Sequence, residues 1–210
     1  LDSLYTSILG FLAVAELGVG TAITFCMYKP IVEGDDDKVS ALYGLFNKLY
    51  LIIGGVIFAA GCAVMPFLRF LVKDYNDLNV NLYLSFAIML VSVVATYLYS
   101  SKISLMNAYK NNYVATTITS SGLLLQYLLQ ITVLVLTRSF YYYLLCRIAA
   151  VLFQWAVSGL VCRKKEYKKI TDNKRRVDDD TKKEVVKSVK AMFMHKIGSV
   201  MVNTVDSIII

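Results

Sequence analysis

Several side chains capable of chemistry sit in stretches where water is scarce. Within otherwise apolar runs the chain carries Glu16, Arg147, Gln154, Lys196, Asn203 and Asp206. A charge placed in hydrocarbon costs about 2.5–3.5 kcal/mol on insertion scales, so such groups face other protein or an aqueous cavity. Residues three and four apart share one face of a helix, and the polar positions keep that spacing. Lys196, Ser199, Asn203 and Asp206 fall at steps of 3, 4 and 3, a stripe about 15 Å long at ~1.5 Å per residue. Ala13, Glu16, Gly20 and Thr24 form a second stripe with one acid and small neighbours. Tyr143, Arg147, Ala150, Gln154 and Ser158 form a third. Thr119, Gln126, Gln130 and Thr137 make a fourth, and Ser85, Ser92 and Thr96 a fifth.

Each stripe has a plainer reading. Gln126, Gln130, Gln154 and the hydroxyl residues serve equally as hydrogen-bonding glue between membrane helices. Arg147 and Asp206 suit a buried ion pair, although charge inside a membrane is functional by default. Lys196 lies near enough to the end of its run to snorkel to the surface. His195 has no second His or Cys at ligand spacing and reads as a surface residue, so no metal centre is expected. Neither a nucleophile–base pair nor a glycine-rich phosphate loop is present, which argues against an enzyme. Asp35–Asp37 and Asp178–Asp180 read as solvated acidic turns. The four cysteines are scattered without CxxC spacing, which leaves them as packing residues.

What must position these groups is a set of membrane helices. The chain is 57% apolar and 18% charged, against about 45–50% apolar for a soluble domain, and its mean hydropathy is +0.58. Its apolar residues come in blocks of about twenty, the length that crosses roughly 30 Å of hydrocarbon. The expected spans are Leu4–Tyr28, Leu49–Val72, Leu82–Ser100, Thr116–Thr137, Phe140–Cys162 and Val189–Ile210. Lys29-Pro30 is expected to stop the first, because proline breaks a helix. A short amphipathic helix capped by Asp37 is expected to lie at the interface through Asn47. In the second span Gly55, Ala59 and Ala63 make a small-residue ridge for close packing, and Pro66 a kink. Lys102–Tyr113 reads as a polar, Tyr-rich interfacial loop.

Between the fifth and sixth runs lies Arg163–Lys196, which holds 13 of the 22 Lys and Arg residues. Cytoplasmic loops retain Lys and Arg, so this block is expected in the cytoplasm, and Tyr28–Lys48 and Ser101–Ala115 with it. The net charge of +7 is then topology signal and attraction to anionic membrane lipids. Nucleic-acid binding would need a concentrated basic face with a reading motif, and none is visible. The first residue is Leu1, and Ile208-Ile209-Ile210 ends inside an apolar run, so the chain reads as a piece of a longer protein without a signal peptide. The expected organisation is an N-terminal transmembrane lobe over 1–162, a basic cytoplasmic linker over 163–188, and a truncated first helix of a second lobe over 189–210.

Three segments carry a resemblance. Phe11-Leu-Ala-Val-Ala-Glu-Leu-Gly-Val-Gly-Thr-Ala-Ile with Tyr28-Lys29-Pro30-Ile31 resembles the second membrane helix of bacterial polysaccharide flippases. These are the O-antigen and capsule transporters of the multidrug/oligosaccharidyl-lipid/polysaccharide exporter superfamily. Tyr109-Lys110-Asn111-Asn112-Tyr113 is similar to that family's short inner loop between helices four and five. Lys196-Ile-Gly-Ser-Val-Met-Val-Asn203-Thr-Val-Asp206-Ser-Ile-Ile-Ile resembles its seventh helix. The resemblance implies an all-α, two-lobed, MATE-like exporter of which helices two to seven are present. It implies a cavity lined by the helices bearing Glu16, Asn203 and Asp206, and an undecaprenyl-diphosphate-linked oligosaccharide moved between leaflets of the bacterial inner membrane.

On this reading Arg147 pairs with diphosphate, while Glu16 and Asp206 carry H+ or Na+ or bind sugar hydroxyls. Gln154, Lys196 and Asn203 complete the expected cavity lining, and no organic cofactor is expected. A glycan polymerase or glycosyltransferase is an expected partner. The competing expectations are a cation-coupled multidrug exporter of the same superfamily and a non-transporting scaffold of a glycan-assembly complex.

Overall fold

The computed structural model describes residues 2–13, 19–68, 81–137, 139–172, 178, 181–183, 185–192 and 194. Every regular element among them is helical: α1 (Asp2–Ala13), α2 (Val19–Glu33), α3 (Asp36–Val64), α4 (Leu82–Ala108), α5 (Asn112–Thr137), α6 (Phe140–Cys162) and α7 (Lys165–Asp172), with a 3-10 turn at Met65–Phe67. Described residues between 181 and 192 are also helical. Four helices are long and apolar enough to cross a membrane: α3 with its 3-10 turn, α4, α5 and α6. The α6 boundaries are those read from the sequence. Leu4–Tyr28 is covered by α1 and α2, each shorter than a span, and residues 14–18 lie outside the described residues. The sixth expected span, 189–210, lies outside them beyond Met194.

The helix ends differ from the sequence expectation in a consistent way. Pro30 does not stop α2, which runs on to Glu33. The stop is Gly34, whose φ of 72° is free of Cβ strain. There Gly34 N–H donates to the Ile31 carbonyl at 3.3 Å and Asp35 N–H to the Pro30 carbonyl at 2.9 Å, a paired C-cap. One residue later Asp35, not Asp37, caps α3 by accepting from Lys38 N–H at 3.0 Å. That backbone bond holds the Asp35 carboxyl below its ordinary range, so the cap is present at neutral pH and is lost as acid protonates it.

From Asp36 the helix is continuous for 29 residues, about 43 Å at ~1.5 Å per residue. No separate interfacial helix precedes the span. Its first turns are tied down instead: Val39, Leu42 and Phe46 are fully buried. α4 likewise continues past Ser100 to Ala108 and turns within three residues into α5, so the expected polar loop is mostly helix. At Pro66, where a kink is expected, α-helix gives way to a 3-10 turn over Met65–Phe67.

The start of the basic segment folds as well. α7 lays Tyr167 and Ile170, 2% and 1% exposed, against the first turns of α3 and leaves Lys168 and Lys169 in solvent. Ser40 Oγ donates to the Ile170 carbonyl at 2.9 Å, and the Tyr109 and Tyr167 rings meet edge to face at 5.5 Å. At the opposite end, α1 is anchored through Tyr5. Its hydroxyl donates to the Leu82 carbonyl at 3.1 Å and lies 2.9 Å from Ser85 Oγ.

Close packing uses a different face of α3 from the one expected. Gly55, Ala59 and Ala63 are exposed. Gly54 and Gly61 face α4 instead, where Tyr97 and Leu90 occupy the space a Cβ would need. Outward, α3 shows Leu51, Ile52, Val56 and Phe58, and α5 shows Leu124, Leu128, Ile131 and Val135. Apolar surface of that extent is compatible with acyl chains, not with water.

Candidate functional site

A cleft of about 410 Å³ opens among α1, α4, α5 and α6. Arg147 and Gln154 are seven residues apart on α6, which places them on one face. Both line the cleft, with Thr6, Ser92, Thr96 and Gln126. At ~1.5 Å per residue Arg147 lies about 10 Å into α6 and Gln154 about 21 Å, so polar groups extend well past the middle of that helix.

Arg147 is a quarter exposed, and one guanidinium N–H reaches Asp2 Oδ1 at 3.5 Å. That is long for a charge-assisted bond, which is typically ~2.7–2.9 Å. Asp2 is its only ion-pair partner among the described residues, and a guanidinium carries five donors. Gln154 is more firmly held. It accepts from Tyr99 Oη–H at 2.6 Å and donates to the Thr119 carbonyl at 3.1 Å. Gly122 makes this possible, because a Cβ there would collide with the Gln154 amide. Gln126 donates to Gln130 at 3.4 Å, and Gln130 donates to the Tyr143 carbonyl at 3.3 Å. Among the described residues every buried side-chain polar atom has a partner. Gln130 and Gln154 bridge helices while Gln126 bonds within α5, and among the described residues Arg147 is the cleft's under-committed donor.

Of the six expected site residues the structure brings together Arg147 and Gln154. Glu16, Lys196, Asn203 and Asp206 lie outside the described residues, as does His195. Of the fourth stripe, Thr119 and Gln126 reach the cleft, whereas Thr137 is exposed at the far end of α5. Thr6 and Asp2 were not anticipated, nor were Tyr99 and Gly122. Tyr99 follows Ser92 by seven residues, as Ser92 follows Ser85, so the heptad step carried the signal. Gly122 carried none, since its role depends on a neighbour 32 residues away. No group of His, Cys, Asp and Glu able to hold a metal occurs among the described residues.

No family model, curated protein or solved structure matches the chain. The chain is an all-helical protein with four candidate membrane-crossing helices, and that description rests on the helices themselves.

Proposed function

We propose that the chain is the N-terminal lobe of an alternating-access transporter that carries a lipid-linked oligosaccharide across the bacterial inner membrane. One observation supports this best: a cleft among apolar helices whose largely apolar wall carries several polar side chains, with Arg147 partway across and Asp2 its only ion-pair partner among the described residues. A sugar-diphosphate headgroup cannot cross hydrocarbon unaided. Arg147 would take a phosphate oxygen, the cleft hydroxyls would replace water at the sugars, and the lipid tail would stay in the bilayer. In this reading the basic end is cytoplasmic, and the second lobe rocks against this one about the segment after α7. Undecaprenyl diphosphate as carrier, coupling to H+ or Na+, and a glycan-synthesising partner all belong to this proposal through the resemblance described above.

The test is Arg147→Ala in cells that export a surface glycan, with Arg147→Lys beside it. Export should be lost in the first and weakened in the second, with protein level in the membrane unchanged and lipid-linked glycan accumulating on the inner side. Normal export by Arg147→Ala would remove Arg147 from the mechanism. Changed dye resistance with normal glycan would favour a drug exporter.

A further inference from the structure

At the basic end a second cleft, of about 430 Å³, lies where α3, α4, α6 and α7 meet. Two cations line it, Lys102 of α4 and Arg163 at the end of α6. Lys102 lies six residues before the end of α4, about 9 Å below it at ~1.5 Å per residue. Its ammonium sits 5.1 Å from the Trp155 ring centroid. Gly159, one turn beyond Trp155, leaves room for it: a Cβ there would come within 3.3 Å of Nζ. Thr171 of α7 and Tyr43 of α3 add hydroxyls to the rim. No carboxylate of a described residue forms an ion pair with Lys102 or Arg163.

The surroundings indicate what kind of anion belongs there. Trp and Tyr favour the headgroup level of a bilayer, and Trp155 is half exposed on the outer wall of the cleft. From that wall a strip of exposed apolar residues runs along α6 away from the basic end: Leu160, Ala156, Leu152, Ala149 and Leu145. A cation pair at interfacial depth beside an open apolar track matches a phosphate with acyl chains attached. A soluble phosphate would have no use for the track.

We propose that this cleft is a binding site for an anionic phospholipid, its phosphate held by Lys102 and Arg163 against Trp155 and its acyl chains lying along the exposed strip of α6. The site is separate from the Arg147 cleft and stands whether or not that cleft carries glycan.

Trp155 is the chain's one tryptophan, so its fluorescence reports this site directly. The detergent-solubilised full chain is titrated in mixed micelles with phosphatidylglycerol, with phosphatidylcholine, and with soluble glycerol phosphate. Phosphatidylglycerol should produce a saturable change in Trp155 emission, and the other two should not. Lys102→Gln and Arg163→Gln should each raise the half-saturation point about tenfold, as loss of one charge-assisted bond implies. Lys29→Gln, an exposed cation elsewhere at the same end, should leave it unchanged. Arg163 is exposed, so its variant does not depend on repacking. An equal response to phosphatidylcholine, a response to glycerol phosphate, or an equal effect of Lys29→Gln would each overturn the site.

Discussion

Tyr99, Gln154 and the Thr119 carbonyl tie α4, α6 and α5 together through bonds of 2.6 and 3.1 Å. Such bonds between membrane helices average about 0.6 kcal/mol and reach about 1.7. A Tyr99→Phe/Gln154→Leu double-mutant cycle on thermal stability in detergent should give a coupling of about that size, and zero coupling would mean the bond is absent. Gly122→Ala should cost more, about 1–3 kcal/mol, because overpacking moves backbone as well as side chain. Neither change should resemble Arg147→Ala, which is expected to spare stability and stop transport. Gln154 was legible in the sequence because one polar residue per two turns stands out in an apolar run. Its partners were harder to read: Tyr99 shows only as the next heptad step after Ser85 and Ser92, and a carbonyl has no sequence signature.

The helices show where reading by hydropathy breaks down. Hydropathy falls before Leu49 and after Ser100, which suggests that the membrane segments end there. The backbone sees no such boundary. Pro30 is tolerated inside α2, and the real stops are positions that accept the left-handed region, Gly34 at φ 72° and Lys110 at φ 60°. Lys110 closes α4 with the same pair of bonds, from Lys110 N–H to Asn107 at 3.0 Å and from Asn111 N–H to Met106 at 2.9 Å. A side chain held there costs roughly 1–2 kcal/mol. Lys110→Gly should therefore raise the melting temperature, and a fall would mean that the turn is not left-handed. The first turns of α3, before the apolar run, receive α7. Ser40→Ala with Tyr167→Ala should speed amide exchange across Lys165–Asp172 while leaving α6 protected.

Taken as one molecule, the chain sorts its charges by end. Lys29, Lys38, Lys110, Arg163, Lys168 and Lys169 are all exposed at the end where α7 docks. Helix directions alone fix this: the ends of α2, α4 and α6 and the starts of α3 and α5 share that side. The alternation was readable because runs of about twenty apolar residues admit few other foldings. The docking of α7 was not, because a block rich in Lys and Arg looks fully solvated until two residues, Tyr167 and Ile170, find a surface. Sidedness is the consequence open to direct measurement. With Cys62 replaced by serine, Lys168→Cys and Thr137→Cys place single exposed thiols at opposite ends, since Cys146 and Cys162 are buried and Cys26 is half-buried. A membrane-impermeant maleimide added to intact cells should label Thr137→Cys and spare Lys168→Cys, and inverted vesicles should reverse the pattern. Each translocated cation opposes the retention of Lys and Arg on the cytoplasmic side, so labelling of Lys168→Cys from outside would contradict the orientation. It would also place the Lys102–Arg163 cleft in the outer leaflet, while labelling of both thiols from one side would contradict four crossings.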